Sequence, residues 1–153
     1  MQIFVTDKCP TKSALRLWNS PNRARKMITE YQQILACCQH EFNGKVTIKK
    51  VDGTPFKTPK SRMNHPVIIW ARKSKNNMKW VAETLESLYL SYEGNGFVNV
   101  EDNIDILNEE LLFVDMTTDN FCNFAKSSDK GLDFTNLDDT IEAYDKFLKA
   151  QGA

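Results

Sequence analysis

The sequence predicts a mainly α, single-domain fold: a compact bundle of five to six helices, with a short N-terminal extended segment and minor β structure in the 46–51 region. Three observations carry this. Apolar residues recur at helical spacing in at least four segments. Proline and glycine punctuate the chain between them, and apolar/polar alternation is confined to Val46 and Ile48. A chain of 153 residues with 41% hydrophobic content can bury one core, which sets a single domain over 1–153.

Residues 2–6 (Gln-Ile-Phe-Val-Thr) are apolar and β-prone, closed by Asp7 and Pro10. From Thr11 a brief helix is expected to bury Ala14, Leu15 and Trp18. Ser20 followed by Pro21 restarts the helix, an N-cap with proline at the first helical position. Ala24, Met27, Ile28, Tyr31, Leu35 and Cys38 then form one apolar stripe, to about Gln39. Residues 43–62 form a basic connector, opened by Gly44, with a turn at Asp52-Gly53 and extended chain at Pro55 and Pro59. It is either a solvated mobile loop or part of an anion-binding surface.

Asn64 or His65 caps a third helical region that runs through Val67, Ile68, Trp70, Met78, Val81, Leu85, Leu88 and Tyr92. It forms one long helix, or two joined near Ser74–Asn77, ended by Gly94-Asn95-Gly96. Ile104, Leu107, Leu111 and Leu112 predict a helix of about ten residues. Phe121 and Phe124 mark a short turn or helix, and Ser127 to Gly131 a loop. Leu137, Ile141, Tyr144 and Leu148 predict a terminal helix begun by Thr135 or Asn136.

Charge is segregated along the chain. Residues 1–80 hold 16 Lys/Arg against 4 Asp/Glu, and residues 81–153 hold the reverse, so a net charge of zero hides halves of +12 and −12. The basic half suits nucleic acid, nucleotide or another anion. The acidic half either screens it, meets a basic partner, or pairs with it in a homo-oligomer. Arg23, Arg25 and Lys26 crowd a helix N-terminus, where positive charge opposes the helix dipole. Folding gives little reason to place them there, and a bound phosphate would reverse the sign. They are the predicted principal anion site, helped by Lys49, Lys50 and Arg72, with His65 as a cap or a phosphate contact. Trp18, Tyr31, Trp70 and Trp80 are available for stacking if exposed, although their stripe positions favour the core.

No catalytic motif is legible. There is no Walker loop, dinucleotide glycine fingerprint, nucleophile elbow or metalloprotease helix. Glu109-Glu110 and Asp138-Asp139 diverge on helices as adjacent residues do. Glu30 is a general acid/base candidate or an ion-pair partner of the surrounding cations. Cys9, Cys37, Cys38 and Cys122 form no C-x-x-C pair and have only His40 and His65 beside them, so reduced thiols are expected, and neither metal nor cofactor is implied. No run reaches the ~18 apolar residues of a membrane span. A signal peptide is not legible either, and a cytoplasmic location is expected.

A hydrophobic opening, a helix bearing an Arg/Lys cluster, a basic loop leading to "NHPVIIW", and a long helix ending at Gly96-Phe97 together resemble one family. Over about residues 1–100 this order is similar to the phage pyrimidine-dimer DNA glycosylase (endonuclease V) group and related small phage proteins. The resemblance implies a mostly α, duplex-binding protein of the host-cell cytoplasm that flips a nucleotide. In that group the first residue's amine forms an imine, and a glutamate on an early helix serves as acid/base. The chain departs at both points. Gln2 predicts a retained Met1, and no carboxylate falls between Lys8 and Thr29. The resemblance therefore carries phosphate binding over to Arg23, Arg25 and Lys26, without imine-type glycosylase/lyase chemistry. A second class of function stays open beside it: a non-enzymatic phage anti-defence protein that sequesters a nucleotide signal, or blocks a host protein through its acidic face.

Overall fold

The first residues run into the middle of the molecule. In the computed structural model, which describes residues 1–94, 96–116, 118 and 120–153, the opening segment is extended. Ile3, Phe4 and Val5 are all buried in the core. Among the described residues this segment pairs with no strand. Buried backbone groups need partners, and Tyr31 Oη donates to the Ile3 carbonyl at 2.5 Å. Gln2 Nε2 donates to the Lys126 carbonyl at 3.2 Å.

Helices α1 (Pro10–Leu17) and α2 (Pro21–Asn43) follow, and both pack against α5 (Lys75–Leu90). Ala14 and Leu17 form the buried face of α1. The expected Leu15 lies outside, 54% exposed, because its neighbour Ala14 takes the inward position and successive residues point about 100° apart. Trp18 is half-buried beyond the helix end, stacked on Tyr92 with ring centroids 6.3 Å apart. The predicted stripe of α2 is buried throughout. The helix continues four residues past Gln39 to Gly44, whose φ of 74° closes it, its N–H reaching the His40 carbonyl at 3.0 Å.

The third helical region is two helices, α4 (Pro66–Ala71) and α5. His65 Nδ1 caps α4 by accepting from the Val67 N–H at 3.1 Å, and Ser74 Oγ caps α5 from the Asn77 N–H at 3.1 Å. A four-residue α3 (Lys60–Met63) sits inside the basic connector. The end of α5 comes at Leu90, with Ser91 as C-cap, ahead of Gly94; Asn95, read as part of the stop, lies outside the described residues. The acidic α6 (Val100–Glu110) buries Ile104 and Leu107, whereas Leu112 is exposed beyond its end.

Among the described residues, minor β structure falls in two places. Around 46–51 it is one bridge between Lys49 and Pro55. The hydrogen-bonded ladder flanks the segment expected to be a loop: β1 (Lys126–Ser127) pairs antiparallel with β2 (Leu132–Asp133) across the turn at 128–131. Phe121 and Phe124 lie in irregular chain leading to it. The terminal helix α7 (Thr140–Ala150) starts later than expected. Thr135 is engaged by Asp133, whose carboxylate accepts its N–H at 2.9 Å, and Asp139 instead caps α7 from the Ile141 N–H at 2.9 Å.

Candidate functional site

The start of α2 sends its cations to different surfaces. Arg23, Lys26 and Glu30 follow one another at i, i+3 and i+7, on one face of the helix. That face forms one wall of an open cleft of about 550 Å³. The opposite wall comes from the β1–β2 hairpin, which supplies Lys126, Asp129 and Lys130, and from the end of α7, which supplies Phe147 and Gln151. Four cationic side chains and the Met1 ammonium thus face two carboxylates, and Glu30 lies 3.9 Å from that ammonium.

The closest arrangement in the cleft is between like charges. Arg23 Nη2 donates to Gln151 Oε1 at 2.8 Å, and Lys130 Nζ donates to the same oxygen at 2.6 Å. Arg23 also stands over the Phe4 ring, 5.8 Å from its centroid, and burial pushes its guanidinium pKa down from the usual range. Lys126 lies 4.8 Å from the Phe124 ring centroid. Lys26 is exposed and makes no ion pair among the described residues. The floor includes Phe4, whose φ of +43° is a left-handed conformation that residues other than glycine and asparagine adopt at a cost. Packing against Tyr144 and Phe147 holds it there.

The remaining predicted residues lie elsewhere. Arg25 is exposed and donates back to Asn22 Oδ1. Arg72 is paired with Glu41 at 3.3 Å, and its Nε donates to the Met63 carbonyl. His65 is a cap, edge-on to Phe124 with centroids 4.6 Å apart. Burial, with the Met1 ammonium and Lys126 adding repulsion, pushes its pKa below the usual value.

Lys49 and Lys50 line a separate pocket of about 520 Å³ between α2 and the basic connector. That connector is organised rather than loose. Asn103 Oδ1 accepts the Lys49 N–H at 2.8 Å, while Asn103 Nδ2 donates to the Lys49 carbonyl at 2.8 Å and to Gln32 Oε1 at 2.7 Å. Asn99 Nδ2 holds the Lys50 carbonyl at 2.8 Å, and Arg62 Nη1 holds the Lys57 carbonyl at 2.8 Å.

None of the predicted stacking residues lines either pocket. Trp80 and Tyr31 are fully buried, and Trp70 nearly so, its indole N–H on the Asn120 carbonyl. Burial pushes the Cys37 thiol up to about 11 and Cys38 higher still, so neither is a ready nucleophile. Among the described residues no three His, Cys, Asp or Glu side chains are grouped to hold a metal, and no helix is long and apolar enough to cross a membrane.

Sequence reasoning missed Lys126, Lys130 and Gln151. One signal was legible: the two lysines are cations in a half that holds only four. No family model matches the chain, and no curated protein or solved structure matches it either.

Proposed function

We propose that the protein binds nucleic-acid or nucleotide phosphates through the cleft lined by Arg23, Lys26, Lys126 and Lys130, and performs no imine-type strand cleavage. The observation that carries this is the shared Gln151 oxygen. A guanidinium and an ammonium held on one neutral acceptor repel each other, and an anion between them turns that repulsion into two charge-assisted hydrogen bonds. The cleft is open and polar, which suits a backbone phosphate better than an enclosed apolar ligand.

The test is binding of a 20-base-pair duplex between 50 and 200 mM NaCl. Three to four phosphate contacts give a log–log slope of roughly −3. A flat salt response would sink the reading. Borohydride trapping on an abasic duplex is expected to yield no covalent adduct, and a strong one would overturn the non-catalytic half of the proposal.

A second reading has its own observation. Beyond the C-terminal end of the acidic α6, whose Glu101, Asp102, Asp105 and Glu109 are exposed along the helix, Phe113 is 96% exposed, an aromatic anchor on the surface. That surface suits a basic protein partner. Probes of opposite sign separate the readings: a heparin oligosaccharide for the cleft, a lysine-rich peptide for α6.

A further inference from the structure

The pocket beside the basic connector differs in kind from the cleft. Its apolar wall is Phe56 and Phe97, with Val51 and Val98 at the mouth. These valines are 63% and 54% exposed, apolar surface that folding has left in water. Across from them stand Thr29 and Gln33 of α2, polar side chains with no hydrogen bond among the described residues. Lys49, Lys50, Lys57 and Arg62 line the pocket as well, against one carboxylate, Asp52.

We propose that this pocket binds a small aromatic anion of the nucleoside-monophosphate class. Three chemistries meet there, and such a ligand matches each. Flat ring faces suit Phe56, Phe97 and the valines, since base–aromatic stacking tolerates any base. Ring-edge nitrogens and oxygens suit the half-buried Gln33 amide, with the exposed Thr29 hydroxyl beside it. A phosphate suits the lysines and Arg62. The volume of about 520 Å³ lies within the range of small-molecule sites.

The pocket is also preformed. Asn103 ties both backbone polar groups of Lys49 to Gln32 on α2, and Asn99 ties Lys50, so little ordering remains for the ligand to impose. Nothing in this site depends on the cleft, and the two can stand or fall separately.

The experiment is calorimetric titration with 5′-AMP and 5′-CMP, alongside inorganic phosphate and decanoate. At least one nucleotide is expected to bind ten times more tightly than phosphate or decanoate. Val98→Glu places a like charge at the mouth from an exposed position, where folding is not at risk, and should weaken nucleotide binding about tenfold. Lys50→Gln should weaken it about threefold. Arg23→Gln, in the cleft, should leave the tight nucleotide site unchanged while weakening duplex binding and any weaker phosphate binding in the cleft. The proposal is overturned if neither nucleotide binds, if phosphate or decanoate binds as tightly, or if Val98→Glu has no effect. Loss of nucleotide binding in Arg23→Gln with Val98→Glu intact overturns it too, because the nucleotide then sits in the cleft. Duplex binding that proves absent while nucleotides still enter the pocket overturns the cleft proposal alone.

Discussion

The cleft and the pocket are both basic, yet they are built in opposite ways. The cleft gathers residues from the two ends of the chain, Phe4 and Arg23 against Lys126, Lys130 and Gln151, and its cations hang on side-chain contacts at the surface. The pocket is a loop wrapped over α2, and buried amides fix its backbone before any side chain is considered. Counting cations does not define a site. Both surfaces present four cationic side chains, but the pocket's lining is mainly apolar and the cleft's mainly polar.

Asn103→Ala should separate the two surfaces most sharply. Asn103 is 1% exposed and satisfies the Lys49 N–H, the Lys49 carbonyl and Gln32 Oε1. Its loss strands buried polar groups at about 1–3 kcal/mol each, partly relieved by relaxation, so a destabilisation of about 3 kcal/mol is expected. By thermal melting that is a fall of roughly 10 °C in Tm. Below the melting range, pocket ligands should weaken while duplex binding stays. An unchanged Tm would mean that the connector is not held by this amide.

Next in size is the double variant Arg23→Gln/Lys26→Gln. Removing two cleft cations should cost roughly tenfold or more in duplex affinity and reduce the salt slope by about 2. Stability should stay constant or rise slightly, since neither residue makes an ion pair among the described residues and both oppose the α2 dipole. Arg25→Gln, on the neighbouring surface, should do little to either ligand. If Arg25→Gln matches the double variant, binding follows total charge and the cleft is not a site.

His65 adds a dependence on pH. Its depressed pKa means that the unfolded chain takes up a proton more readily than the folded one. The stability this contributes is complete above the unfolded value near 6.5 and is lost as pH falls below it, through the folded pKa. Melting between pH 7.5 and 5.5 should show a drop that His65→Asn, which keeps a capping side chain, reduces. The Lys126 that helps depress His65 also lines the cleft, so a bound anion should ease the protonation of this ring. An identical pH response in the variant would remove His65 from the account.

The sequence made the helices legible where burial dictates spacing, and obscured whatever depends on distant partners. The α2 stripe, the restart at Pro21 and the His65 cap follow from local chemistry and stand in the structure as read, although Ser20 occupies the N-cap position without a side-chain hydrogen bond to the helix. The N-terminal segment did not disclose its place, because its partner is the Tyr31 hydroxyl rather than a strand. The late start of α7 turns on Asp133 engaging Thr135 and leaving Asp139 as the cap, a competition between side chains that composition does not resolve. The candidate site was half legible. Arg23 and Lys26 were visible as a local conflict with the helix dipole, and Lys49 and Lys50 as part of a basic run. Their separation into two pockets was not, since it depends on which face of α2 each element meets.

The smallest expected effect tests whether the cleft is organised at all. Gln151 carries no charge, yet its Oε1 gathers Arg23 and Lys130, and its Nε2 anchors to the Phe147 carbonyl at 3.3 Å. Gln151→Ala leaves every cation in place and removes only the atom that positions two of them. If the cleft works by preorganised geometry, duplex affinity should fall about threefold, because the ligand must now order both side chains itself. The salt slope should not move, because the number of counterions released is set by the cations, and these are intact. Tm should change little, as the bonds lost are at the surface. An unchanged affinity would reduce the cleft to a patch of charge. A slope that falls as far as in the double variant would show that Arg23 and Lys130 reach phosphate only when Gln151 aims them, a stronger coupling than the geometry requires.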